Sequence, residues 1–193
     1  PHRAYKWESG INSGMNLQDV EVPACFPDSP EVRTDICDYY WEVQRFDTEV
    51  GELLKSLEEN GELDNTLVVI TGDNGMPFPR CKSNLYDLGT NVPLAVCWPA
   101  AVKGGRIVED FISLSDLAPT FLEAAGLKPT SDMTARSFMN ILTSNKSGKV
   151  DRKRNHVLTG KERHVPSQET GPAGYPMRAI RTHDFLYIRN FKP

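Results

Sequence analysis

Apolar residues recur at Val32, Ile36, Tyr40, Val43, Phe46, Val50, Leu54 and Leu57, in steps of three and four. That spacing predicts a long helix with one buried stripe. Its start is marked by Ser29-Pro30, where a hydroxyl can cap free N–H groups and proline suits the first turn. Asn60-Gly61 ends it, because glycine accepts the left-handed conformation found just past helix C-termini. The preceding residues, 1–29, hold Gly10, Gly14, Pro23 and Pro27 without a clear period and read as irregular.

Next comes a continuous β-branched run, Thr66 to Thr71, with no alternation. Such runs mark strands buried on both faces, as in a parallel sheet covered by helices. A second run, Val92 to Trp98, follows, and Leu114 to Ala125 reads as a helix with Asp116 as cap and Pro119 in its first turn. A short helix is predicted over 135–142 and a polar loop or subdomain boundary over 144–155. Beyond lie His156–Thr159, Met177–Thr182 and Phe185–Ile188. The last two alternate apolar with polar about His183-Asp184, which predicts an antiparallel hairpin. The pattern as a whole is an α/β body over 1–145, mainly parallel sheet flanked by helices, with a small α+β subdomain over 146–193.

The 193 residues suffice for one sizeable core, and 39% hydrophobic with 25% charged content is ordinary for a globular protein. No apolar run approaches the roughly 18 residues that span a bilayer, so no membrane segment is expected. The chain opens Pro1-His2-Arg3 rather than with Met, and is expected to be a portion of a longer polypeptide whose leader, if any, lies elsewhere. The net charge of −4 is unevenly spread: 11 Lys and Arg face 4 Asp and Glu from residue 146 onward, and 11 face 22 before it. A basic tail on an acidic body suggests an anionic partner. Cys25, Cys37, Cys81 and Cys97 show no CxxC spacing, which argues against a zinc or redox motif, and nothing in their positions selects a disulfide pair.

The candidate chemistry sits where the first apolar run meets Gly72-Asp73-Asn74-Gly75. Ligands of open α/β sheets gather beyond the carboxyl ends of strands. A carboxylate beside an amide oxygen there offers hard donors suited to Ca²⁺ or Mg²⁺. The flanking glycines let the backbone turn sharply.

The stretch Asn65 to Gly75 closely resembles the sulfatase signature that ends in a strand and Asp-Asn-Gly. Lys82-Ser83-Asn84-Leu85-Tyr86-Asp87-Leu88-Gly89, then Val92-Pro93-Leu94, resembles that family's next block: a lysine, an aromatic-acid-x-Gly turn and a strand. Ser115 to Thr120 with Ala124-Ala125-Gly126 is similar to a third. The phosphatases and phosphodiesterases of the same alkaline phosphatase-like superfamily place a histidine where Asn74 stands, which favours the one-calcium sulfatase branch. Asp73 to Pro79, the opening Pro1-His2-Arg3, Val22-Pro23 to Arg33, Gly160 to His164 and Tyr175 to Arg181 resemble the heparan N-sulfatase (sulfamidase) group.

This resemblance implies Asp73 and Asn74 as Ca²⁺ ligands, Lys82 holding a sulfate oxygen, and His2 binding the sulfate or protonating the leaving atom. Arg163 and His164 would contact the sugar or its acidic groups. The implied substrate is a sulfated carbohydrate rather than a nucleic acid, with no oligomeric state specified, and the implied location is periplasmic, secreted or lysosomal. Sulfatases act through a formylglycine made from the Cys or Ser of Cys-x-Pro-x-Arg. The nearest string, Cys25-Phe26-Pro27-Asp28-Ser29, has Ser in place of Arg and precedes the long helix, so the nucleophile is expected outside this chain. The competing readings are a phosphoryl-transfer enzyme of the same superfamily and a non-catalytic module that binds sulfated glycans. The second has no use for Asp73-Asn74 beside Lys82.

Overall fold

The computed structural model describes residues 5–164 and 174–192. A 30-residue helix, α2 (Pro30–Glu59), dominates the N-terminal part. The Ser29 hydroxyl accepts from Val32 N at 3.4 Å, and Gly61 takes φ 71° past its end, so both ends are built as the sequence predicts. The segment before α2 is more ordered than its composition suggests. A short helix, α1 (Ser9–Asn12), packs on α2, followed by a 3-10 turn at Leu17–Asp19. Asp38, fully buried on α2, accepts from the backbone N–H groups of Glu8 and Gly10, each at 2.8 Å. Arg33 grips Asp28 with two nitrogens, at 2.6 and 2.8 Å, and gives Nη1 to the carbonyls of Leu17 and Val20.

The predicted stripe is buried only near the start of α2. Ile36 and Cys37 are covered, whereas Tyr40, Val43 and Phe46 are exposed. Among the described residues α1 and the 3-10 turn pack on α2, and farther along the stripe Val50, Leu54 and Leu57 are half-buried.

Strand β1 (Val68–Thr71) pairs with β2 (Leu94–Cys97) in antiparallel register, Val68 opposite Cys97 and Thr71 opposite Leu94. The β-branched run therefore does not meet a parallel neighbour among the described residues, and β1 is half-buried rather than buried on both faces. A run without alternation reports apolar surroundings on both faces, not strand direction. Between the two strands lies a single turn of helix, α3 (Asp87–Thr90).

The helix predicted over Leu114–Ala125 is divided. A 3-10 turn, Leu114–Asp116, leads into α4 (Leu117–Ala124), because Asp116 bends its carboxylate back to accept from Ser113 N at 3.1 Å. Of the predicted 135–142 helix only α5 (Met139–Leu142) is helical. Its free carbonyls are taken by Arg106, which donates to Ile141 and Leu142, the cationic helix ending that favours stability.

Three strands close the chain: β3 (His156–Lys161), β4 (Met177–Thr182) and β5 (Leu186–Asn190), antiparallel in the order 3-4-5. The hairpin turns at His183-Asp184, where Thr182 N donates to Phe185 O. Among the described residues no helix follows α5. The polar 144–155 segment is tied to the body: Asp110 accepts from Val150 N and Asp151 N, and Arg154 is buried against Asp116.

Two apolar clusters hold these parts. Val20, Ile36, Cys37, Phe78 and Cys81 form one; Phe138, Ile141 and Leu142 form the other, with Val96, Val108 and Leu117 around them. Among the described residues no helix is long and apolar enough to cross a membrane.

Candidate active site

The segment from Gly72 to Asn91 folds into a closed backbone ring at the end of β1. Gly75 N donates to Gly89 O at 3.0 Å, and Lys82 N donates to Met76 O at 3.0 Å. Both closures need glycine. A Cβ on Gly75 would lie 1.8 Å from Leu88 O, and one on Gly89 would lie 2.2 Å from Cys81 O. Backbone approaches this close exclude any side chain.

The ring is seated on the first core cluster through Met76, Phe78 and Cys81. Tyr39 of α2 meets Phe78 edge-on at 6.0 Å, and Phe26 lies 5.9 Å from it. Cys81 is fully buried, and this burial pushes its thiol pKa up. Lys82, next in sequence, is half-buried.

The ring brings the Lys82 backbone against Met76, two residues past Asn74. Asp73 is exposed at the strand end and Asn74 is half-buried. Among the described residues, the Asp73 carboxylate, the Asn74 amide and the Lys82 ammonium take part in no hydrogen bond or ion pair. Asp73 and Asn74 thus leave two hard oxygen donors unengaged on adjacent residues at the strand end. They fit a share of a calcium site, in that a carboxylate and an amide oxygen on adjacent residues suit that ion. They are not a whole site, since no group of three or more metal-binding side chains occurs among the described residues.

A cleft of about 1010 Å³ runs from the strand end to the tail sheet. Its wall includes Asp73, Asp87, Arg181 and His183, but not Asn74, Lys82, Arg163 or His164. Arg163 and His164 follow β3 at the end of the described stretch. His2 lies outside the described residues.

Three cations of the tail sheet have partners that the sequence reading did not foresee. Arg181 holds Asp87 through two parallel contacts, Nε to Oδ1 at 2.9 Å and Nη2 to Oδ2 at 3.0 Å. The Asp87 carboxylate raises the Arg181 pKa above its already high value, so the fork stays charged. Lys161 donates Nζ to Ser83 O at 2.9 Å. Arg178, on the opposite face of the sheet, pairs with Glu162. Asp87 was visible in the aromatic-acid-x-Gly block; its partner, 94 residues away, had no local signal.

The chain belongs to the sulfatase family, whose pattern residues 18–127 match. Residues 81–189 match a second family, described as N-sulphoglucosamine sulphohydrolase, C-terminal. Among curated relatives, an ulvan-active sulfatase of Formosa agariphila is 30% identical over 89% of this chain and 27% of its own length. The N-sulphoglucosamine sulphohydrolase of Homo sapiens is 33% identical over 89% of this chain and 34% of its own. A solved structure in complex with its substrate, D-glucosamine-2-N,6-O-disulfate, superposes with a TM-score of 0.65 at 28% identity, covering 84% of this chain and 31% of that one. The fold is accordingly the alkaline phosphatase-like α/β fold of sulfatases. The chain spans about a third of the length of these relatives.

Proposed function

We propose that the whole protein is a sulfatase that hydrolyses a sulfate ester or sulfamate on a sulfated sugar, and that this chain supplies one wall of its active site. The observation that carries the reading is the ring closed by Gly75 and Gly89 at the end of β1, in which the Asp73, Asn74 and Lys82 side chains are engaged by no other described residue. The sulfated-glucosamine complex of one structural relative and the sulphohydrolase identity of another support a sulfated carbohydrate as substrate. The location proposed for the whole protein is periplasmic, secreted or lysosomal.

In this reading Asp73 and Asn74 hold Ca²⁺, which when bound supplies positive charge next to the sulfuryl oxygens. Lys82 places its ammonium on another sulfuryl oxygen, so charge developing in the transition state meets a fixed cation. His2 gives a proton to the leaving oxygen or nitrogen as the bond to sulfur breaks. The nucleophile is a formylglycine hydrate on a part of the polypeptide outside these residues. Cys25 is not its precursor: Ser29, in the place of the family's arginine, caps α2, and Asp28 is held by Arg33. Arg163 and His164 act on the sugar side.

The test is sulfate release by full-length protein from N-sulfated and 6-O-sulfated glucosamine, beside a phosphate monoester control. Asp73→Ala and Lys82→Ala should each lower kcat/KM by about 10²-fold or more, the range for removing one preorganised charge. Release of phosphate but not sulfate would point to the phosphoryl-transfer branch. Glycan binding without turnover of any ester would point to a binding module. Either outcome ends the sulfatase reading.

A further inference from the structure

The ring that carries Lys82 is braced from two sides, and only one brace is the apolar core. On the core side, Cys81 is fully buried and Lys82 N is bonded to Met76 O. On the other side, two long cations reach out from one face of the tail sheet. Lys161 of β3 donates to Ser83 O, the carbonyl next after Lys82. Arg181 of β4 takes both oxygens of Asp87, in the first turn of α3. The register explains why both reach the same place. Lys161 lies opposite Met177 and Val157 opposite Arg181, so both cations stand on the face that includes buried Ala179. His183, in the following turn, adds a ring contact to Phe111 at 4.7 Å.

The loop needs such bracing. Arg80 and Ser83, on either side of Cys81-Lys82, adopt φ of 63° and 69°, a region that side chains other than glycine rarely adopt. Such residues persist only where the surroundings hold them. Ser83 is held by the carbonyl that Lys161 grips. Asp87 leads within two residues to Gly89, whose carbonyl closes the ring onto Gly75. Moving Asp87 would therefore move both ends of the ring.

We infer that the tail sheet works as a two-point clamp on the sulfate-binding loop, with Lys161 and Arg181 as positioning residues that set the location of Lys82. The inference rests on the proposed sulfatase reading for its functional half. Its structural half stands on the contacts alone. Neither residue touches substrate in this scheme. Arg181 acts through Asp87 and Lys161 acts through the Ser83 carbonyl. A guanidinium fork matches a carboxylate at two points, whereas an ammonium offers one compact charge.

The test uses full-length protein and three variants, Arg181→Gln, Arg181→Lys and Lys161→Met. Hydrogen exchange should rise in residues 82–91 for Arg181→Gln and Lys161→Met, with the start of α2 unchanged. KM for the sulfated sugar and the inhibition constant of inorganic sulfate should each rise about tenfold, roughly the loss of one well-made charged contact. Arg181→Lys should recover part of both. The charge swap Asp87→Arg with Arg181→Asp should recover more than either single change. A merely structural role would lower the active fraction, and so kcat, and leave KM and sulfate inhibition unmoved. That outcome, or unchanged exchange in 82–91, overturns the clamp. Wild-type protein without sulfatase activity overturns the functional reading instead, and the exchange arm still decides whether the clamp exists.

Discussion

Arg154 Nη1 lies 2.7 Å from Asp116 Oδ2, across 38 residues of sequence, and the two side chains are only 3% and 9% exposed. The pair is the centre of a larger junction. Asp116 also accepts from Ser113 N and Arg136 N, while Arg154 also donates to the carbonyls of Arg136 and Ser137. It fastens the 3-10 turn before α4, the segment before α5 and the approach to β3 to one another.

A buried pair whose partners are all satisfied costs most when one member is removed, because the other is left charged and unpaired. Arg154→Met or Asp116→Ala should each lower stability by about 3–5 kcal/mol in denaturant unfolding. The loss should change little between low and high salt, since buried charges are poorly screened. A loss below about 1 kcal/mol, the scale of surface pairs, would show that the junction is solvated.

The glycines of the ring and of α2 should respond in opposite directions. Gly75→Ala forces a Cβ into Leu88 O and should destabilise by about 1–3 kcal/mol or more, the range for overpacking. Gly51, inside α2, has open space where its Cβ would go. Gly51→Ala should raise stability by about 0.5–1 kcal/mol through helix propensity. Thermal melts of both variants check this, and a stabilising Gly75→Ala would contradict the ring closure.

The four thiols divide into two pairs. Cys25 and Cys97 are exposed, while Cys37 and Cys81 are buried. An aromatic disulfide reagent at neutral pH should modify two cysteines quickly and two only as fast as the fold opens. Desolvation raises the pKa of both buried thiols, with nearby Asp38 adding to it at Cys37. A raised pKa means the fold favours the neutral thiol. Their contribution is complete below the unfolded thiol pKa, about 8.5, and is lost as pH rises through the folded values. Stability should therefore fall above about pH 9, and Cys37→Ala should reduce that slope if burial is the cause.

The basic tail divides as well. Arg181 pairs with Asp87 and Arg178 with Glu162, and Arg163, just past β3, is the residue that the proposed reading puts on the sugar side. In full-length protein, Arg163→Glu should raise KM for a sulfated glycan severalfold and leave a small aryl sulfate nearly unchanged. Arg178→Glu should do less to the glycan. Equal effects on glycan and aryl sulfate would remove Arg163 from substrate recognition.

Local signals were legible and distant ones were not. The cap at Ser29, the stop at Gly61 and the hairpin about His183 depend on a few adjacent residues and are built as read. Membership of the family was legible through its ordered blocks about Asp73-Asn74-Gly75 and Lys82. The antiparallel pairing of β1 and β2 was not, because hydrophobicity carries no strand direction. The same holds for Asp38, Asp116 and Arg154. Charged residues at those positions look like solvent-facing ones until the chain brings their partners from 20 to 40 residues away.

Strands β1 and β2 form a ladder of only two, so each has one side without a strand neighbour among the described residues. The run Leu67-Val68-Val69-Ile70 carries no charge and lies at such a side. Unpaired backbone groups beside β-branched residues invite another chain to add on. Expressed apart from the remaining two-thirds or so of a full-length relative, this polypeptide should be prone to insoluble self-association through that margin. A lysine at Val69 should improve its yield more than any change to the basic tail.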